Sequence, residues 1–248
     1  MRLAILSDIH GNLAALEAVL ADLKTRAPDV IVNLGDCVTS PLWPRETFEL
    51  LSTLNWQTVR GNHDRWIAEG PFTRGGSVRF AHDALLPQQR EHLGALPPSI
   101  VLDGNVLAVH GSLTSDTEYL LEDHVNGRLV GVTQAELGRR LSDTRASLVL
   151  CGHSHKSGMA YAVESRTVLN PGSVGCPRYA DNANPFEAEY GSPHAHYAIA
   201  SQRASRWHVE FIALDYDWEV VRQQASRNSR SDWALGFLAH EHDESGTS

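Results

Sequence analysis

Five short apolar runs in this sequence each stop at, or one glycine before, an aspartate, asparagine or histidine. Arg2–Ser7 stops at Asp8, and Val30–Gly35 at Asp36. Thr58–Arg60 leads through Gly61 into Asn62, Val106–Val109 stops at His110, and Ser147–Cys151 runs through Gly152 to His153. Runs this short and this apolar read as buried strands. Between the first two, Leu13, Leu16, Val19, Leu20 and Leu23 recur at helical spacing, and Pro28 closes the unit. Strand, helix and strand in alternation define a layered α/β fold. In open α/β sheets, ligands bind beyond the carboxyl ends of the strands. Five polar residues in the same place on five strands should therefore converge on one spot.

The rest of the chain is less regular. Arg45–Leu54 reads as a helix. Residues 64–97 read as a mainly helical, irregular insert near the convergence point. Thr133 with Glu136 three residues on reads as a capping box opening a helix to Leu141. Thr167–Leu169, His196–Ala200 and Trp207–Leu214 read as antiparallel or edge strands. Trp218–Ala225 and Trp233–Ala239 read as helices, and 240–248 as a frayed polar tail. His194 and His196 fit strand alternation. No repeat or linker divides the 248 residues, so one domain over 1–248 is expected.

Composition removes several classes. No apolar run approaches the roughly 20 residues of a membrane span, and Asp8 and His10 interrupt the first run, so it does not read as a signal-peptide core. A formal charge of −9 works against binding a phosphate backbone, so neither membrane nor nucleic acid is an expected partner. Three cysteines without a pairing framework point to a reducing, cytoplasmic setting. Nothing in the sequence sets the oligomeric state.

The ordered motifs are Asp8-Ile9-His10, Gly35-Asp36, Gly61-Asn62-His63-Asp64, His110-Gly111 and Gly152-His153-Ser154-His155. This set resembles the calcineurin-like metallophosphoesterases over about residues 1–175. Asn170-Pro171-Gly172-Ser173-Val174-Gly175, followed by Pro177-Arg178, resembles their compact bacterial and archaeal phosphodiesterase branch. The resemblance implies an α/β (α+β) fold of two stacked mixed β-sheets flanked by helices. It also implies that Asp8, His10, Asp36 and His155 hold one divalent metal, and that Asp36, Asn62, His110 and His153 hold a second. By the same resemblance His63 contacts the phosphoryl group or protonates the leaving oxygen, and Asp64 orients His63, a position that could equally serve as a helix cap. Two such metals can clamp an in-line attack by hydroxide on phosphorus. With two aspartates and one hydroxide, the cluster keeps a formal charge of about +1, which suits an anionic ester. A ligand set of nitrogen and oxygen favours Mn, with Fe, Zn, Ni or Co as alternatives. Cys37, Cys151 and Cys176 read as small buried packing residues.

The substrate is less legible. Protein phosphatases and diadenosine-tetraphosphatase relatives usually continue the second motif with an Asp-Arg pair. This chain reads Gly35-Asp36-Cys37-Val38-Thr39-Ser40-Pro41 and departs from them. Residues 64–97 and the acidic stretch Asp116–Asp123 are expected to wall the pocket. His82 and Arg178 are candidate substrate contacts, and Trp43, Trp66 or Tyr179 could stack on a base or aryl group. Arg60, Arg65, Arg74 and Arg79 read as surface charges. The expected activity is metal-dependent hydrolysis of a small, nucleotide-like phosphodiester. The rival reading is a catalytically silent interaction scaffold of the same fold.

Overall fold

A computed structural model describes residues 1–70, 76–162, 166–181, 186–189, 192–204 and 206–237, with the backbone alone for 178–181 and 186–189. The chain runs β1 (Arg2–Leu6), α1 (Leu13–Arg26), β2 (Val30–Asn33), α2 (Pro44–Ser52), β3 (Gln57–Thr58), α3 (Asn62–Glu69), α4 (Gly76–Ala84) and α5 (Pro87–Ala95). It continues through β4 (Ser99–Leu102), β5 (Val106–Val109), β6 (Glu122–Val125), β7 (Arg128–Gly131), α6 (Gln134–Arg140), β8 (Leu148–Leu150), β9 (Gly158–Tyr161) and β10 (Thr167–Asn170). Last come β11 (Arg178–Asp181), β12 (Phe186–Glu189), β13 (Ala195–Arg203), β14 (Arg206–Leu214), α7 (Trp218–Arg227) and α8 (Ser231–Leu235).

Two five-stranded mixed sheets form the frame. The first has the order β14-β13-β1-β2-β3, and the second β4-β5-β8-β10-β9. In the first, β1, β2 and β3 run parallel and β13 and β14 are antiparallel. In the second, β5, β8 and β10 run parallel between antiparallel edges. The strands that end in motif residues are thus the parallel ones, and their carboxyl ends lie together. The expected two-sheet α/β architecture is the one observed.

Side chains on a strand alternate between faces, and this divides the core. Leu3 and Ile5 of β1 join Leu148 and Leu150 of β8 and Leu169 of β10 in a layer shared by both sheets. Ala4 and Leu6 face the other way, onto Leu16, Val19 and Leu23 of α1. Val149 and Val168 turn outward beneath Leu137 and Leu141 of α6. Both strand faces are covered, which is why these runs read as continuously apolar.

Local signals set the helix ends. Asn12 Oδ1 accepts the Ala15 N–H at 3.1 Å and caps α1. Lys24 and Arg26 complement its carboxyl-terminal dipole. Thr133 Oγ1 accepts the Glu136 N–H at 3.2 Å and opens α6 where the capping signal placed it. The insert at 64–97 resolves into α3, α4 and α5, packed through Ile67, Val78, Ala81, Leu85 and Leu93. The helix expected at Trp233–Ala239 is α8, which begins earlier and ends at Leu235. The tail at 240–248 lies outside the described residues.

Leu169 is fully buried between the sheets, whereas Val101 on the edge strand β4 is 62% exposed. Leu169→Ala should cost about 2–5 kcal/mol of stability, and Val101→Ala should stay within about 0.5 kcal/mol. Urea unfolding of the two variants checks this. Equal losses would mean that the layer between the sheets is not the stabilising one.

Candidate metal centre

The loops leaving the parallel strands are bound to one another. Asp8 N–H donates to Gly35 O at 3.0 Å, His10 N–H to Asp36 O at 2.9 Å, and Gly11 N–H to Cys37 O at 3.1 Å. The pairing of β1 with β2 therefore continues after both strands have ended. On the other side of Asp8, Gly175 N–H and Ser173 Oγ donate to its carbonyl at 3.1 and 2.8 Å. Gly152 N–H donates to His110 O at 2.7 Å, and Asn170 Nδ2 to Gly152 O at 2.8 Å. Turning this tightly forces left-handed backbone on Asp8 (φ 55°), His10 (47°), Asp36 (56°), His153 (66°) and His155 (57°). Non-glycine residues rarely adopt this region, and Asp, Asn and His tolerate it best. At Gly61 a Cβ would lie 2.1 Å from Asp36 Oδ1 and 2.4 Å from Asp36 N, so no other residue fits there.

The side chains converge. His10 Nδ1, His110 Nδ1 and His155 Nδ1 lie 2.9, 2.7 and 2.8 Å from the carbonyl oxygens of Thr39, Leu34 and Cys176. A carbonyl only accepts, so each Nδ1 carries a proton and each Nε2 faces inward. His10 Nε2 and His155 Nε2 are 3.2 Å apart. Asp36 Oδ2 lies 3.8 Å from His10 Nε2 and 3.4 Å from His110 Nε2. His110 Nε2 is 2.8 Å from Asn62 Oδ1, and the ring of His153 lies 5.2 Å from that of His110. Asp8 Oδ1 is 3.2 Å from His155 Nε2, and Asp8 Oδ2 accepts the His153 N–H at 3.1 Å. The structure thus brings together Asp8, His10, Asp36, Asn62, His110, His153 and His155.

The electrostatics follow from burial. Desolvation works against both carboxylates, yet the histidines outweigh it and hold Asp8 down to about 2 and Asp36 well below the usual range. Burial likewise works against His110 and His155, but the carboxylates hold His110 up to about 9 and His155 well above normal. Burial keeps His10 low, His153 down to about 4 and His63 down to about 3. Two imidazoles held up thus face two carboxylates held down, and a divalent cation held by the same donors would take over that pairing of charge. Asn62 Nδ2 remains buried with no hydrogen-bond partner, and Asp8 Oδ1 is met by His155 Nε2. A converging set of N and O donors with an orphaned polar atom fits a metal centre.

Around this set lies a supporting layer that sequence reading largely missed. Asp64 was expected to orient His63. Instead its carboxylate accepts the backbone N–H groups of Asp36, Cys37 and Gly61 at 2.9, 3.0 and 2.9 Å. Both oxygens are spent on backbone, tying the β2 loop to the start of α3. Asp64 thus stands in the first turn of α3 and bonds the N–H of the capping Gly61, close to the capping role its position allowed. His63 is half-buried and its Nδ1 has no partner. Its ring packs 4.6 Å from Trp66 and 5.3 Å from His10. Tyr119 stacks on His153 at 4.8 Å and 26°. Trp233 of α8 stands 6.4 Å from His10, its Nε1 donating to Ser77 Oγ at 2.9 Å. Two of these aromatics lie on segments with no motif, so only the fold could place them beside the cluster.

Other expected contacts fall elsewhere. His82 interacts with Arg90 at 2.7 Å and Asp83 at 3.2 Å, and no described contact joins it to the cluster. Arg178 and Tyr179 lie in β11, whose side chains are outside the described residues, as is Arg74. Trp43 packs against the cluster of Leu42, Val221 and Phe237, to which Trp233 also belongs. Arg65 grips Asp116 through two hydrogen bonds of 2.7 and 2.8 Å, Arg79 pairs with Asp83, and Arg60 Nη1 donates to Gly94 O. Of the acidic stretch 116–123, Asp116 pairs with Arg65 and Tyr119 covers His153, so part of it does wall the cluster.

Residues 1–187 match the family model of the calcineurin-like phosphoesterase superfamily domain. An uncharacterized protein of Methanocaldococcus jannaschii is 27% identical over 249 residues, covering 93% of this chain and 94% of its own. The crystal structure of a metallophosphoesterase from Sphaerobacter thermophilus superposes with a TM-score of 0.74 at 27% identity, covering 96% of this chain and 98% of that one. A hypothetical protein from Pyrococcus horikoshii OT3 shares the fold with the same TM-score and coverage at 21% identity.

Glu122 supports the His153–His155 loop from behind. Its buried carboxyl hydrogen-bonds Ser154, and burial raises it to about 7. A carboxyl raised in the folded state stabilises below its unfolded pKa, near 4.5, and that stability is lost as pH climbs toward 7. Glu122→Gln does not titrate. Its melting temperature relative to the parent should therefore rise between pH 4.5 and pH 7.5. A difference that stays flat across this window would show that Glu122 is not held in its acid form.

Proposed function

The chain belongs to the calcineurin-like phosphoesterase superfamily, and from that premise we propose that it is a phosphodiesterase using two divalent cations on a small, nucleotide-like ester. One observation carries this reading. Asp8, His10 and Asp36 form one group able to hold a metal ion, Asp36, His110 and His153 form another, and Asp36 belongs to both. His155 would complete the first position and Asn62 the second. Two ions bound there would supply Lewis acidity toward the phosphoryl oxygens and lower the pKa of an attacking water. Manganese is the first expectation for such donors, with Fe, Zn, Ni or Co as alternatives.

The chain's own groups do the rest. His63 would donate its ring N–H to the phosphoryl group or, once the anionic ester raises it from the low value its burial imposes, pass a proton to the leaving oxygen, its ring held between Trp66 and His10. Asp64 would act at one remove, by fixing the backbone of Asp36 against the turn that carries His63. The small formal positive charge of a loaded centre supports a monoanionic diester. No helix among the described residues is long and apolar enough to cross a membrane. The three cysteines are buried and form no disulfide, which is in keeping with a reducing, cytoplasmic compartment.

Metal analysis after Mn²⁺ loading and desalting should give close to two equivalents per chain, and Asp36→Ala should weaken both positions. With Mn²⁺, bis(p-nitrophenyl) phosphate should turn over faster than p-nitrophenyl phosphate. Folded protein that retains no metal would favour the silent scaffold, and a clear monoester preference would overturn the diester assignment.

His63→Ala separates chemistry from architecture. Metal content and melting temperature should hold, while kcat on an alkyl ester falls about 10²–10⁴-fold. The loss should shrink with nitrophenolate, which leaves without a proton. Loss of a metal equivalent would make His63 a ligand, and full activity on the alkyl ester would leave it a structural residue.

A further inference from the structure

The three cysteines are all buried, but they do not face the same way. Cys37 Sγ receives Asn33 Nδ2 at 3.3 Å, and Cys151 Sγ donates to Leu169 O at 3.7 Å. Cys176, 2% exposed, is different. Its sulfur and one ring nitrogen each of His10 and His155 lie within 4.8 Å of one another. Among the described residues it is the only cysteine in a group with the spacing to hold a metal ion.

Its position is fixed by the same loop that fixes Asp8. Cys176 N–H donates to Ser173 Oγ at 2.8 Å, and that hydroxyl donates to Asp8 O at 2.8 Å. Cys176 O in turn accepts His155 Nδ1 at 2.8 Å, orienting the imidazole whose Nε2 faces His10. A Cβ on Gly175 would lie 1.8 Å from Ile9 O, so the residue before Cys176 is pressed against the Asp8–His10 turn. Asp8 Oδ1 is buried there too, and its close partner is His155 Nε2 at 3.2 Å, a nitrogen of the same group.

We propose that Cys176 is a further ligand of the cation held by Asp8, His10, Asp36 and His155, giving that position a sulfur donor and leaving the other with nitrogen and oxygen only. The proposal rests on the metal-centre reading above. As the metal–sulfur bond forms, the S–H bond breaks and its proton passes to solvent, and no electron changes hands. Thiolate is a soft donor, so this position favours Zn, Co or Fe over Mn. The two positions become chemically unlike, and a mixed pair of metals becomes the expected loading. The added negative charge also brings the cluster close to neutral, which lessens its pull on dianionic monoesters.

Cobalt substitution tests the assignment without reference to activity. Protein loaded with two Co²⁺ should show a sulfur-to-cobalt charge-transfer band in the near ultraviolet. Cys176→Ser should lose that band and keep the visible ligand-field bands of bound cobalt. The Cys37→Ser/Cys151→Ser double variant, whose only thiol is Cys176, should retain it. X-ray absorption of the Zn²⁺ form should give sulfur at about 2.3 Å, and Cys176→Ser should lower Zn²⁺ affinity at least about tenfold. If Cys176→Ser does not fold, the double variant decides. Two bound Co²⁺ without the band, or a band that survives Cys176→Ser, overturns the sulfur ligand and leaves the metal centre standing. No bound cobalt in any variant overturns both.

Discussion

Two carboxylates and four imidazoles are held together where water scarcely reaches, and the architecture answers to the electrostatics of that crowding. Buried charge is costly unless it is paired. Asp8 and Asp36 are fully or almost fully buried, and the compensation comes from His110 and His155 within 3.2–3.4 Å. Such a balance survives only if no member can drift. The stacked sheets supply that rigidity by delivering the groups from the ends of paired strands, and the bonds between loops carry it past the last strand residue. His10, His110 and His155 are each anchored by Nδ1 to a backbone carbonyl, so even their tautomers are imposed by the fold.

Support extends well beyond the cluster. Arg140 of α6 donates to the carbonyls of Tyr119, Leu120 and Glu122 and pairs with Asp123. One guanidinium thereby sets both the ring that stacks on His153 and the carboxyl that holds Ser154. On the opposite side, Ser77 Oγ receives Trp233 Nε1 and Arg230, fastening α8 to the first turn of α4. Asn228 Nδ2 adds a bond to Pro41 O at 2.7 Å. Helices α7 and α8 lie beyond the 1–187 region that the family model matches, yet Trp233 stands beside His10. The mouth of the site is therefore built partly from residues that no family motif describes.

This division explains what could be read in the sequence. β1, β2, β5 and β8 are legible because strands covered on both faces must be apolar throughout, and a polar residue stands out after each. Thr167–Leu169 reads as an antiparallel or edge strand, whereas β10 is an interior strand, parallel to β8 and antiparallel to β9. The strands β4, β6, β7 and β9 were not anticipated. β4 and β9 alternate exposed and half-buried positions over four residues, and β6 and β7 are largely exposed, so no long apolar run marks them. Asp64 was legible as a motif member but not in its contacts, since a carboxylate three residues into a helix can serve backbone or side chain equally well. His82 attracted notice as a histidine near the site in sequence, whereas on α4 its ring turns to Arg90. In the sequence Cys176 reads as packing because a cysteine carries no spacing signal alone, and only the fold brings its sulfur to His10 and His155.

The left-handed turns at Asp8 and Asp36 have a consequence for how such a chain can change. Asparagine tolerates that backbone region nearly as well as aspartate and fills almost the same volume. An amide at either place would keep the turn, the neighbouring backbone bonds and the shape of the surface. What it would remove is formal charge, from a cluster whose working depends on the sum. The scaffold and the chemistry are thus separable by very small steps. A lineage built on this frame could surrender catalysis while preserving a rigid, well-defined face for recognising other molecules.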